Sequence, residues 1–354
     1  MGREQEPARD QKFEVLSSWS GIPKISNFGH RTPNPSPGSP ARAVRLTSQS
    51  TVLYDADKKV ARGQGARQRL VMVERFEVAL NTPVGRLTTA IDVPTGFVPI
   101  TAIVPVTRRL GEEAAQLEVQ HAIGEGRSIS CRMGCAACCR MLVPLSAPEA
   151  FALREYVEQL PADRRTHLLN RLSDTKDRVN REGLWDRLND LAEASRPVPD
   201  EELDPINRSY YALRIPCPYL ENEMCSIYEA RPAACRELLV TSPAELCQDL
   251  VQNLVTPLPV SMRIGSILGL VWGTLTNSPP RLIPLPMALE WAERHEGESR
   301  RTWPGSSLLD QVFTNMWRFL SQEFTNRGRT TGKGLEILPL DSPPANLLFK
   351  KEKT

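Results

Sequence analysis

Between residues 76 and 93 apolar side chains recur at every second position, first Phe76, Val78 and Leu80, then Leu87, Ile91 and Val93 with Thr89 in step, and the turn-forming stretch NTPVG separates the two runs. A period of two with a turn at its centre predicts a β-hairpin, one placed to cap the elements that follow. From Val104 the spacing lengthens. Leu110, Ala114, Leu117 and His121 share one helical stripe that stops at Gly124, so a helix is expected there, with His121 a hydrogen-bonded core residue in preference to a metal ligand. The segment LSAPEA sets Ser146 three residues before Glu149, the capping-box spacing, and Ala150, Leu153, Val157 and Leu160 continue it as a helix. A heavily charged stretch from about Ala162 to Ala194 keeps Leu168, Leu172, Val179, Leu188 and Leu191 for its inner face. After the loop RPVPDEELDP and a second cysteine region, the last regular pattern is Leu308, Leu309, Val312, Phe313, Met316, Trp317 and Leu320, a broad apolar helical face explained by core packing.

These patterns describe an α+β chain that is mainly α: a small helical domain with an N-terminal β-hairpin and a disordered N-terminal tail. The expected organisation is a disordered Pro-rich tail over 1–65, a hairpin plus helix over 66–125, a cysteine-rich domain over 126–250, a helical C-terminal extension over 251–328 and a loose tail over 329–354. The tail assignment rests on composition. Residues 1–65 include RTPNPSPGSPAR, carry more Lys and Arg than Asp and Glu, and lack an apolar period that could offset the entropy of ordering them.

Charge removes several functional classes. The formal net charge is +2 over 354 residues, which gives no bulk attraction to nucleic acid or anionic membrane. The N-terminal MGREQEPARDQK has no apolar core segment, so no export signal is read there. The longest charge-free run, Ile264 to Pro280, is interrupted by Ser, Thr, Asn and Gly and is shorter than the roughly 20 apolar residues of a spanning helix. A cytoplasmic location is the expectation. In that reducing compartment clustered thiols serve as metal ligands or reactive groups and not as disulfides.

Such a cluster is present. The stretch CRMGCAACCR holds Cys131, Cys135, Cys138 and Cys139, half of the chain's eight cysteines. A helical turn would bring all four to one face, and an irregular loop broken at Gly134 would also bring three or four together. Like-charged thiolates converge only around a cation. The other four, Cys217, Cys225, Cys235 and Cys247, lie in IPCPYLENEMCSIYEARPAACRELLVTSPAELC. There Pro232 suits the first turn of a helix that leaves Cys235 at its positive end, and Ser242, Pro243 and Glu245 suit the N-cap, first and third positions of another that leads to Cys247. Arg132, Arg140, Arg231 and Arg236 flank the cysteines and suit charge-assisted hydrogen bonds to sulfur.

The two blocks together, CRMGCAACCR followed by CPYL and CSIYEARPAACR, resemble the bacterial C-x-x-C-x-x-C-C or YkgJ-type cysteine-cluster family, described as a zinc- or iron-chelating domain. Cys131, Cys135, Cys138 and Cys139 match its leading cluster, and Cys217, Cys225, Arg231, Pro232, Cys235 and Arg236 its second block, over roughly residues 126–250. Three residues separate Cys131 from Cys135 where the named form has two, and Cys247 lies outside the core motif. The resemblance implies a metal without naming it. Some relatives with this block are lysine methylases of flagellin, which implies S-adenosylmethionine-dependent methyl transfer as an alternative activity, although no Gly-rich strand-to-helix turn followed by an acidic residue is found.

The donor set favours iron and sulfide: all eight candidates, Cys131, Cys135, Cys138, Cys139, Cys217, Cys225, Cys235 and Cys247, are cysteines, and none of the four scattered histidines pairs with them. The expected cofactor is an iron-sulfur cluster of the 4Fe-4S type, with zinc, as a structural interaction module, the alternative. The expected role is structural or electron-transferring, with a redox or protein partner that the sequence does not name. Neighbouring Cys138 and Cys139 would close a strained ring on one ion, so the number of centres stays open. Sulfurs from both blocks are expected to meet at shared metal.

Overall fold

The computed structural model describes residues 73–249 and 253–331. The expected tail over 1–65, and the loose tail after Thr331, lie outside the described residues. In chain order come strands β1 (Val73–Thr82), β2 (Gly85–Pro94) and β3 (Phe97–Pro99), helix α1 (Val104–Gly124), strand β4 (Pro144–Leu145) and helices α2 (Ala147–Glu158), α3 (Ala162–Arg181), α4 (Trp185–Ala192) and α5 (Asp200–Ala212). Short strands β5 (Leu220–Glu221) and β6 (Met224–Cys225) precede helices α6 (Ala233–Glu237) and α7 (Ile264–Thr276). Strand β7 (Ile283–Pro284), helices α8 (Ala288–Arg294) and α9 (Glu296–Ser299), strand β8 (Thr302–Pro304) and the long helix α10 (Gly305–Thr331) complete it.

The hairpin forms as expected, and the structure sets its register, with Leu80 opposite Leu87 and Phe76 opposite Ile91. The other strands are ties and not sheets: β3 pairs with β8, β4 with β7 and β5 with β6, all antiparallel. One apolar core runs from Val78 and Leu80 of the hairpin to Leu320 of α10. At its centre Phe151 of α2 stands 5.5 Å from the Trp272 ring and 5.3 Å from that of Trp291, so α2, α7 and α8 meet through aromatic contacts. Helix α7 occupies most of the charge-free run and is buried there through Ile267, Leu268, Val271 and Trp272. Among the described residues no helix is long and apolar enough to cross a membrane.

Two expectations are corrected in detail. The charged stretch over 162–194 is two helices, because Gly183 takes φ 67° after Arg181; Leu184 N–H then reaches the Val179 carbonyl at 3.2 Å and Gly183 N–H that of Asn180 at 2.9 Å, the paired closure of a left-handed C-terminus. All five expected inner residues of the stretch are nonetheless buried. His121 is not a core residue. It is exposed beside Glu125, 3.7 Å away, because the buried stripe of α1 continues from Leu110 and Ala114 through Glu118 and Ala122 at intervals of four, while Leu117 and His121 lie one position off it. Glu118 is buried as the acceptor of the Ser261 hydroxyl.

Glu149 ties this core to the second cysteine block. The capping box forms as expected, with Ser146 N–H and hydroxyl donating to Glu149 Oε2 at 3.2 and 2.9 Å. The other oxygen, Oε1, accepts the Ala233 N–H at 2.8 Å, the first residue of α6, and stands 3.5 Å from Arg108 Nη2. The side chain is fully buried. Glu237, at the other end of α6, accepts the Ile264 N–H at 2.6 Å and so caps α7. Desolvation by burial raises the Glu237 carboxyl to about 7.

Removing a buried charged partner leaves the rest unpaired, so Glu149→Ala is expected to lower unfolding stability by about 3 kcal/mol. The measurement is the urea midpoint at constant slope. Glu149→Gln, which keeps an acceptor oxygen, should lose less, and an unchanged midpoint in the Ala variant would remove Glu149 from this role.

Candidate metal centre

The first cysteine block is a loop of successive turns and not a helix. Gly134 sits at φ 83°, a conformation that favours glycine. Cys135 N–H reaches the Arg132 carbonyl at 3.0 Å, Cys139 N–H that of Ala136 at 3.0 Å and Met141 N–H that of Cys138 at 3.2 Å. Of the two geometries open from sequence, the loop is the one formed.

The second block is a chain of short elements that each turn a cysteine inward. Cys217 precedes the β5–β6 hairpin, whose turn residues Asn222 and Glu223 take φ 49° and 58°, and Cys225 ends β6. Two positive φ values in a two-residue turn match the twist of the flanking strands, a signal present in the ENEM stretch but weak there because glycine is absent. Pro232 is the N-cap of α6, one position earlier than expected, and Cys235 sits on that helix. Cys247 lies on a 3-10 turn, Ala244–Gln248, capped by Pro243 and not by Ser242; the Ser242 hydroxyl instead accepts the Thr256 N–H at 3.1 Å. Arg171 of α3 donates to the Pro218 carbonyl at 2.8 Å and holds the Cys217 loop from outside.

Backbone hydrogen bonds join the blocks. Cys217 N–H donates to the Cys139 carbonyl at 2.8 Å and Ser130 N–H to the Val240 carbonyl at 3.0 Å. Three sulfurs also accept backbone N–H groups: Cys131 from Val240 at 3.3 Å, Cys217 from Tyr219 and Cys225 from Ile227. Donors of this kind stabilise sulfur that carries negative charge. The arginines act differently from the expectation. Arg236 gives its N–H groups to the carbonyls of Tyr228, Glu229 and Arg231 and to Glu112, and Arg231 bonds the Tyr228 carbonyl while stacking 3.7 Å over that ring. They influence the thiols through charge at a distance and not through hydrogen bonds to sulfur. Their planar forks are occupied in closing the loop that carries Cys225 and Cys235.

Six sulfurs, those of Cys135, Cys138, Cys139, Cys217, Cys225 and Cys235, line one cleft of about 430 Å³. Within it Cys139 joins the second block: Cys235 feels the charges of Cys217, Cys139 and Cys225, Cys217 feels Cys139 and Cys225, and Cys225 feels Cys139. Cys131 and Cys247 do not line the cleft, and Cys247 feels Cys131 and Cys135. Among the described residues no three His, Cys, Asp or Glu side chains are gathered in a way that could hold one metal ion.

Burial sets their charge. It pushes the Cys217 thiol up to about 12 and the Cys247 thiol to about 11, raises Cys235 well above the ordinary thiol range, and raises Cys131 and Cys225. Cys139 goes the other way, to about 7, because it accepts the Cys138 S–H, with Arg140 and Arg231 adding their charge; that same bond holds Cys138 protonated well above its usual range. Tyr219 adds a feature that sequence reading missed. Its side chain is fully buried at the cleft wall, its hydroxyl has no hydrogen-bond partner among the described residues, and it feels Cys217 and Cys225. A buried O–H donor without an acceptor, beside sulfur, fits a group with acceptor atoms in the cleft.

Cysteine-only donors, backbone N–H groups aimed at sulfur and an orphaned hydroxyl define a thiolate metal-binding domain. Residues 130–249 match the model of the CxxCxxCC family, described as a "putative zinc- or iron-chelating domain", which supports metal binding over this segment. No curated protein and no solved structure matches the chain.

Metal must displace thiol protons here, so loading is expected to release more than one proton per chain at pH 7, and apparent affinity should rise with pH because the raised thiols hold their protons below about pH 9. Titrating the metal-free protein with zinc in weak buffer with a pH indicator measures both. Release below one proton, or affinity independent of pH, would contradict neutral thiols in the empty site.

Proposed function

We propose that the chain is an iron-sulfur protein whose cluster is held by Cys139, Cys217, Cys225 and Cys235, with a structural or electron-transferring role. The observation that carries this reading is the donor set: cysteines line one cleft, with the unpartnered Tyr219 hydroxyl buried at its wall. Tetrahedral zinc takes four thiolates on one ion, whereas Cys139, Cys217, Cys225 and Cys235 line a cleft of about 430 Å³. A polynuclear cluster, held by one thiolate at each corner, suits such a cleft. Bound there, it supplies one-electron chemistry or a rigid cross-link between segments.

The residues around it have separable tasks. Tyr219–OH would give its proton in a hydrogen bond to a cluster sulfur, the acceptor it lacks, and the Tyr219 and Ile227 N–H groups hold Cys217 and Cys225 oriented inward. Arg231 and Arg236 partly offset the negative charge of the loaded centre, since both lower the Cys225 thiol. Zinc stays the alternative, because the family description covers both metals.

Protein purified without oxygen is expected to be brown, with broad visible absorption and iron and acid-labile sulfide in comparable amounts. Colourless protein with stoichiometric zinc would reverse the assignment. Tyr219→Phe should keep the iron content and shift the reduction potential to more negative values, because a hydrogen-bond donor to sulfur favours the reduced, more negative cluster. An unchanged potential would place the hydroxyl outside the cluster's environment.

A further inference from the structure

Four thiols are left over by that centre: Cys131 and Cys247 lie off the cleft, and Cys135 and Cys138 line it together with the first set. We propose that the chain holds a second thiolate metal centre, built from Cys131, Cys135, Cys138 and Cys247, next to the first. The inference rests on the iron-sulfur reading for the identity of the metal but not for the number of centres.

Packing separates the two groups. Cys217, Cys225 and Cys235 lie against the main core, whereas Cys131, Cys138 and Cys247 lie against a distinct small apolar cluster of Met141, Tyr211, Val240 and Val255. Electrostatic neighbours divide the same way: Cys247 feels Cys131 and Cys135, and Cys131 feels Cys135. Cys138 is where the groups touch, feeling Cys139 and Cys235 on one side and Cys247 on the other. Two consecutive cysteines strain a shared metal ring but serve adjacent centres without strain, one sulfur each.

The surroundings of the second group are built as ligand supports. Cys131 Sγ accepts the Val240 N–H at 3.3 Å, a donor that a thiolate uses better than a neutral thiol. Cys247 is buried, and its turn is held by Tyr211–OH donating to the Gln248 carbonyl at 2.8 Å and by Arg214 at 2.9 Å from Asp249. The arrangement is also reciprocal. The first centre takes one cysteine from the first block and three from the second; this one takes three and one. The blocks are therefore joined at two centres, and the fold gains two cross-links where one site would supply one.

The test is metal content in the full chain, purified without oxygen and with its clusters reconstituted by iron and sulfide. Two cubane clusters correspond to about eight iron and eight sulfide per chain, one to about four of each. Cys225→Ser and Cys247→Ser, one per group, should each keep about half of the wild-type metal, and the double variant essentially none. After reduction with dithionite, the wild-type electron paramagnetic resonance spectrum should carry the broadening of two interacting clusters, reduced to a simple signal in either single variant. About four iron in the wild type, or full metal retention by Cys247→Ser, would overturn the second centre; so would loss of all metal in either single variant whose circular dichroism stays native. If a variant does not fold, the wild-type stoichiometry decides. Two zinc per chain without iron would support two centres while overturning the iron-sulfur reading, and a wild type that takes up no metal would overturn both.

Discussion

The carboxylate of Glu149 is the point on which the geometry of the second cysteine block depends. It is fully buried, it caps its own helix through Ser146, and its second oxygen receives the first N–H of the five-residue helix that carries Cys235. A helix that short has too few internal hydrogen bonds to persist by itself. Its position is instead set at both ends by carboxylates, Glu149 at Ala233 and Glu237 at Ile264. Placing Cys235 is thus a consequence of ordering two core helices, and a thiolate site becomes coupled to the stability of the whole core.

The thiol cluster reverses that logic. Packing, backbone hydrogen bonds and arginine-closed loops bring cysteines of both blocks to one cleft, but burial raises the Cys217, Cys235 and Cys247 thiols above their ordinary range. The energy for ionising them has to come from a bound cation, since thiolates in a desolvated site repel one another. Cys139 is the exception, lowered to about 7 because its neighbour donates to it.

Much of the secondary structure was legible in the chain. The alternation over residues 76–93 led to the hairpin, and the Ser146–Glu149 spacing led to the capping box, because both are local patterns in which nearest neighbours determine the backbone. His121 was misplaced because a stripe at intervals of four can be drawn through either Leu117 and His121 or Glu118 and Ala122, and the choice fell on the one that avoids a charged Glu; the buried Glu118 is decided by Ser261, 143 positions away. The five-residue α6 and the β5–β6 hairpin are likewise short elements whose stability comes from contacts and not from propensity.

By itself the sequence determined the chemistry of the site: eight cysteines in two blocks, no histidine partner, and a motif order that matches a zinc- or iron-chelating family over residues 130–249. Residue type and spacing suffice for that, because thiolate chemistry is carried by the side chain. Only the tertiary structure decided which sulfur faces which. The fold sets Cys139 among Cys217, Cys225 and Cys235, while Cys138, hydrogen-bonded to Cys139, feels both Cys235 and Cys247. The reason is that the loop from Cys131 to Arg140 has no regular period of its own. Its sulfurs take their directions from Val240, from the backbone of Cys217 and from the apolar cluster around Tyr211, all of them distant in sequence.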